Sequence, residues 1–235
     1  MPFSPPSPSS GTPQDEISHL ARQWTKLMWN ADLWRQVTWL GVPVLQWPTD
    51  LMLLQELLTK LKPRYVIETG LHHGGTAVFY ASILKLLGID GRVISVDIQI
   101  TREARENIGD SAFREQITLV EGDSKSDTVH QQIEAILGGE TNVLVCLDSD
   151  HSYAHTLAEL RRFSRYVPVG GYMVLFDTIC EYLADTPKGD PRWVEDSPMA
   201  ALRQFLSEND NFETDASWEK LRVTFAPQGF LRRRS

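Results

Sequence analysis

Five acids stand at the ends of short apolar runs: Glu68, Asp97, Asp148 and Asp177 directly after them, and Asp123 after Glu121-Gly122. The first opens Glu68-Thr69-Gly70-Leu71-His72-His73-Gly74-Gly75-Thr76, where the run Tyr65-Val66-Ile67 passes through glycines into Ala77–Leu84. A strand leading through a glycine turn into a helix leaves unpaired N–H groups and a positive dipole end at the carboxyl edge of a sheet, which suits an anionic group. The spacing Glu68-x-Gly70-x-x-x-Gly74 is not the Gly-x-Gly-x-x-Gly dinucleotide fingerprint. Its acid repels a pyrophosphate but can seat an amino group beside a carboxylate, so the turn favours S-adenosylmethionine over a nicotinamide dinucleotide.

The other acids suggest further roles. Asp97 closes the run Val93–Val96, and one carboxylate there can accept both hydroxyls of a ribose. Asp148 and Asp177 end neighbouring strands of the expected sheet, with Asp150 and His151 just after the first. Two converging carboxylates make a hard-cation site for Mg²⁺ or Mn²⁺. His151 beside them is placed to take a proton from a substrate hydroxyl. The plainer alternative makes these acids helix caps and turn residues. His151 and His155, four apart, could pair on zinc, but neither cysteine, Cys146 or Cys180, lies at ligand spacing. His72 and His73 either touch the cofactor or stand free in the loop.

The elements that must position these residues follow in order. Residues 1–13, MPFSPPSPSSGTP, read as a disordered leader. From Ile17 to Trp39 the apolar residues suggest helical segments, and four of the chain's seven tryptophans fall there. These rings pack on the main domain or wall a substrate. Gly41–Asp50 is a loop because of its prolines, and Thr49 or Asp50 should cap a helix Leu51–Lys60. Residues 14–62 thus form a helical segment and loop, and 63–235 the main domain. Strands are expected at Tyr65–Glu68, Arg92–Asp97, Ile117–Val120, Val143–Leu147 and Tyr172–Phe176. The intervening helices fall near Gly75–Leu87, Thr101–Ile108, Asp127–Leu137 and Tyr153–Tyr166. Apolar runs alternating with amphipathic segments mark an α/β fold with a buried parallel sheet. The proline- and acid-rich loop Asp185–Pro198 is long enough for a lid. A helix Met199–Leu206 and strands Phe212–Thr214 and Arg222–Ala226 complete the expected order, and the basic run Arg232–Arg234 reads as a solvated tail.

The 235 residues, 42% hydrophobic and 23% charged, are ordinary for a globular domain with a substantial core. A net charge of −8 argues against nucleic acid and anionic membrane surfaces as partners. No apolar run approaches a membrane span and the start lacks a secretory signal pattern, so the cytoplasm is the expected compartment.

Several motifs in one order resemble the cephalosporin hydroxylase family, which includes rhamnosyl O-methyltransferase-like proteins. They are Trp39-Leu40-Gly41-Val42-Pro43, Gln46, Pro48 with Asp50-Leu51, Ile67-Glu68-Thr69-Gly70 with Gly74-Gly75, Ser95-Val96-Asp97-Ile98, Leu147-Asp148-Ser149-Asp150-His151 and Phe176-Asp177-Thr178-Ile179. The similarity continues through Pro198-Met199-Ala200-Ala201 to Ala226-Pro227-Gln228-Gly229-Phe230-Leu231. The resemblance implies a Rossmann-like class I methyltransferase fold, with a seven-stranded, mostly parallel sheet and an antiparallel last strand. It implies cofactor contacts at Glu68, Gly70, Thr76, Asp97 and the turn Gly122-Asp123-Ser124. A weaker similarity to catechol O-methyltransferase implies metal ligands at Asp148 and Asp177 and a catalytic base at His151. Some members carry an acid before the second aspartate, where this chain has Phe176, so Thr178, Glu181 or Asp150 is left to supply a third oxygen.

The expected function is a Mg²⁺-assisted O-methyltransferase acting on a hydroxyl of a small molecule or sugar, as a monomer or a homo-oligomer. Two other classes stay open. One is a methyltransferase-like binding protein that assists a partner enzyme. The other is a hydroxylase or other oxidoreductase, for which neither an iron triad nor a nicotinamide fingerprint is visible.

Overall fold

The computed structural model describes residues 12–235. The expected leader lies outside the described residues up to position 11, while Thr12 and Pro13 already belong to the first helix. Helix α1 (Pro13–Asn30) opens with a capping box in which Thr12 and Asp15 satisfy each other's backbone N–H groups. Two short strands, β1 (Thr38–Trp39) and β2 (Val42–Pro43), pair as a hairpin, the first at the end of the stretch expected to be helical and the second inside the expected loop. Helix α2 follows (Pro48–Leu61).

The expected cap on α2 is not formed. Residue Trp47 holds the cap position without a side-chain bond, and Asp50 turns into the protein instead. There its carboxylate accepts the Phe225 N–H at 2.8 Å and the Thr224 hydroxyl. Burial outweighs those bonds and pushes the Asp50 carboxyl up to about 7. This bond also explains why Arg222–Ala226 is not a strand. The Phe225 N–H goes to Asp50 and its carbonyl accepts from the Ile179 N–H, so neither pairs with a strand, and Arg222 has a left-handed φ of 59°, which breaks an extended run.

The alternating part follows as β3 (Tyr65–Thr69), α3 (Gly75–Leu86), β4 (Arg92–Asp97), α4 (Arg102–Gly109), β5 (Ile117–Glu121), α5 (Asp127–Leu137), β6 (Val143–Leu147), α6 (Tyr153–Phe163), β7 (Tyr172–Leu175), a single turn α7 (Cys180–Leu183) and α8 (Pro198–Glu208). It ends with β8 (Phe212–Thr214) and β9 (Phe230–Arg233). The seven-stranded sheet has the order β5-β4-β3-β6-β7-β9-β8. Only β9 runs against the rest, paired antiparallel with both β7 and β8. Thus Arg232 and Arg233 are sheet residues and not a free tail; Arg233 donates to the Val167 carbonyl at 2.7 Å.

Alternation along the strands divides the core in two. Leu144 and Cys146 of β6 join α2 and α3 on one face, while Val145 and Leu147 join α5, α6 and α8 on the other. Strand β7 repeats the division, with Tyr172 and Val174 against Met173 and Leu175. Both faces are covered, so these strands are apolar throughout. Each fully buried aliphatic side chain contributes about 1.5–3 kcal/mol. The N-terminal rings join the first face: Trp29 stacks on Trp34 at 5.3 Å, and Trp47 packs on Phe225 at 5.0 Å. The strand order reverses between β3 and β6, which is where an open α/β sheet forms its ligand crevice.

Candidate active site

A cavity of about 680 Å³ opens at that crevice. Gly70, Thr76, Asp97, Asp123, Ser124, Asp148, His151 and Asp177 all line it, at the ends of β3, β4, β5, β6 and β7. Glu68, Gly74 and Gly122 do not line it. Glu68 points inward and is 3% exposed. Burial raises its carboxyl to about 7, against hydrogen bonds from Ser95 and Thr76. Gly74 caps α3 in a left-handed turn, and Gly122 donates to the Asp97 carbonyl at 2.8 Å, so both shape the rim from behind.

The glycine end is built largely from backbone. Asp97 Oδ2 accepts the N–H groups of Leu71 at 2.8 Å and His72 at 3.3 Å, and Oδ1 accepts that of Gln99 at 3.1 Å. The carboxylate therefore locks the glycine turn, and one oxygen retains capacity for a further donor. Gly70 has φ +85°, and a Cβ there would lie 1.8 Å from the Asp148 carbonyl oxygen. Only glycine allows β3 and β6 to approach so closely. His72 and His73 both line the cavity, and His73 is held there by Glu103 at 2.9 Å.

At the other end the imidazole of His151 lies between two carboxylates. Nδ1 is 3.0 Å from Asp177 Oδ2 and Nε2 is 3.6 Å from Asp148 Oδ1. Burial works to lower the His151 pKa, but the Asp177 carboxylate and its bonds to both acids raise it well above the ordinary imidazole value. Burial pushes Asp148 up to about 6, with His151 opposing. Two hard oxygen donors facing one positive group fit a divalent cation in type and charge. Among the described residues the one tight group of ligand atoms, all within 4.8 Å, is His151, Asp177 and Cys180. Burial raises the Cys180 thiol far above its usual range, and these three groups are one short of the four protein ligands of a structural zinc site. His155 does not pair with His151; its Nε2 sits 3.1 Å from Ser149 and 3.3 Å from Ser124.

Phe176 is 2% exposed within the core. Of the residues able to replace an acid there, Glu181 is held by Arg203 at 2.7 Å and Thr178 donates to the Pro227 carbonyl at 2.7 Å. Asp150 alone reaches the cavity wall. A smaller cavity of about 240 Å³ shares Asp150 and His151 with the first and is walled by Asp190, Arg192, Trp193 and Asp196 of the expected lid loop. That loop is tied down: Trp193 meets Trp29 edge-on at 6.0 Å, and Asp185 pairs with Lys26 at 2.6 Å.

Trp34, one of the rings expected to pack on the main domain or wall a substrate, lines the cavity, as do Arg35 and Lys125, to which the sequence assigned no role. The sequence left Gln46 without one as well. Gln46 donates to Asp148 at 2.7 Å and is 2% exposed. The signal in the sequence is slight: one amide inside the apolar run Val44-Leu45-Gln46-Trp47 between two prolines.

A family model described as Rhamnosyl O-methyltransferase/CmcI matches residues 31–234. The rhamnosyl O-methyltransferase of Mycobacterium leprae (strain TN) is 29% identical over 225 residues, covering 94% of this chain and 93% of the relative. A solved structure of CmcI with Mg and SAM aligns with a TM-score of 0.60 at 21% identity, covering 86% of this chain and 78% of the other. An O-methyltransferase from Bacillus cereus in complex with SAH aligns at 0.52 and 17% identity, covering 87% and 84%. The likeness to these two structures is one of fold, the class I methyltransferase arrangement.

Proposed function

The chain belongs to the rhamnosyl O-methyltransferase/CmcI family, and from that premise we propose that it is an S-adenosylmethionine-dependent, Mg²⁺-assisted O-methyltransferase whose acceptor is a hydroxyl of a sugar or small molecule. One observation carries the reading: His151, Asp148 and Asp177 meet on the wall of the same cavity as the glycine turn and Asp97.

When bound, S-adenosylmethionine supplies a methyl group on a sulfonium, and Mg²⁺ lowers the pKa of a hydroxyl it touches. The residues of the chain do the rest. Asp97, Asp123 and Ser124 would hold the nucleoside end, and the glycine turn would seat the amino-acid end. Asp148 and Asp177 would hold the cation. His151 Nδ1–H donates to Asp177 Oδ2, which leaves Nε2 to take the acceptor proton. That uptake requires the carboxylate charge around the ring to be shared with a cation, because otherwise the ring stays protonated. Holding acceptor and methyl donor in line supplies much of the remaining acceleration.

Calorimetric titration of S-adenosylmethionine and S-adenosylhomocysteine, with and without Mg²⁺, tests the reading. Micromolar binding is expected; absence of binding under both conditions would refute it. The smaller cavity beside His151 supports an acceptor that enters past Trp193. The membrane observation is narrower: among the described residues, no helix is long and apolar enough to cross a bilayer.

A further inference from the structure

The acidic pair is held from behind by a residue that does not touch the cavity. Gln46 Nε2 donates to Asp148 Oδ2 at 2.7 Å, while Oδ1 of the same carboxylate stays on the His151 side. The Gln46 side chain is almost fully buried, yet its Oε1 has no hydrogen-bond partner. Turning the amide over would set Oε1 against a carboxylate oxygen, so the orientation is dictated by Asp148. A glutamine retained only for packing would satisfy both ends. This one leaves its acceptor unpaired and devotes its donor to a single carboxylate.

The backbone that carries Gln46 is fixed on both sides. Trp47 is 1% exposed and packs on Phe225 and Trp24. On the other side the Pro43 carbonyl lies where a Cβ on Gly75 would stand, 2.1 Å away, and Leu45 adopts φ +53°. The donor is also neutral. A lysine or arginine in its place would cancel the Asp148 charge, whereas an amide orients the carboxylate and leaves the pair with two negative charges.

We propose that Gln46 is the positioning residue of the cation site, fixing Asp148 so that one oxygen is presented beside His151 and Asp177. The inference rests on the methyltransferase reading above. With Phe176 apolar, no acid stands directly before Asp177, so the orientation of Asp148 counts for more than in a site that has one there.

The test uses the full chain, Mn²⁺ as the probe followed by electron paramagnetic resonance, and calorimetry with S-adenosylhomocysteine. Gln46→Met keeps the volume and removes the donor. It should weaken Mn²⁺ binding roughly 10- to 100-fold, the usual effect of losing a partner that orients a metal ligand, and leave S-adenosylhomocysteine binding unchanged. Gln46→Asn keeps the amide but ends one methylene short, so it should weaken Mn²⁺ as well; it serves if the methionine variant does not fold. Unaltered Mn²⁺ affinity in a folded variant overturns the role of Gln46 alone. A wild-type protein that binds S-adenosylhomocysteine but no Mn²⁺ overturns the cation site and this proposal together. Equal weakening of both ligands would mark Gln46 as a packing residue, also against the proposal.

Discussion

The two ends of the cavity are built on different plans. At the glycine end, neighbours in sequence do most of the work: Leu71 and His72 offer their amides to Asp97, which lies one strand away. At the acidic end, the meeting residues come from the Gln46 loop, the end of β6 and the end of β7. Backbone donors in a short turn define a site with little freedom. Converging side chains carry charge that can be protonated, shared or exchanged. The first plan suits holding a ligand in place, and the second suits changing its protonation.

Separating the ends is the largest available test. Asp148→Ala should lower turnover at least about a thousand-fold, through loss of charge stabilisation at the acceptor oxygen, with S-adenosylhomocysteine affinity retained in a parallel titration. Turnover that survives would place the chemistry elsewhere.

Gly70 joins the two ends, so its loss should not respect the division. Gly70→Ala puts a Cβ into the Asp148 carbonyl at a positive φ and should cost on the order of 3 kcal/mol. The melting temperature should fall by roughly 6–12 °C, and both S-adenosylhomocysteine and Mn²⁺ should bind less well. Loss of one ligand alone would show that the ends are independent.

Glu68 sharpens the contrast from behind the glycine turn. Burial raises its carboxyl to about 7, so its contribution is fully present below its unfolded pKa, near pH 4.5, and is lost as pH rises through about 7. Glu68→Gln should remove roughly 3 kcal/mol of that pH dependence, measured as denaturant unfolding at pH 4.5 and pH 8. An unchanged slope would mean that Glu68 ionises freely in the folded state.

The smallest effect belongs to Asp97→Ala. Losing a charged acceptor costs about 1.5–3 kcal/mol, or roughly a 10- to 100-fold weaker grip on S-adenosylhomocysteine. Mn²⁺ affinity and kcat at saturating cofactor should hold. A fall in Mn²⁺ affinity would blur the two plans.

What the sequence made legible follows the same division. The strands carrying Glu68, Asp97, Asp148 and Asp177 could be read from apolar runs ending on acids, because period and punctuation are local signals. The seven-stranded, mostly parallel sheet with its antiparallel last strand followed from resemblance, while the order of its strands came only with the structure. Three expectations failed where distant residues decide the outcome. Asp50 looked like a cap, and it bonds instead to a backbone 175 residues further on. That bond turned the apolar stretch Val223–Ala226 from strand into loop, and the strand role passed to Phe230–Arg233, whose arginines suggested solvent. Gln46 stayed without a role because nothing near it in sequence reveals that it faces Asp148.

The position of β9 has a consequence for the order in which the molecule is assembled. It is the last strand in the chain, yet it sits between β7 and β8, and β8 pairs with no other strand. Until Phe230–Arg233 has been synthesised and inserted, the apolar β7 presents an unpaired edge, and an edge of that kind is a template for aggregation. The sheet behind the cavity is therefore completed only when Phe230–Arg233 arrives.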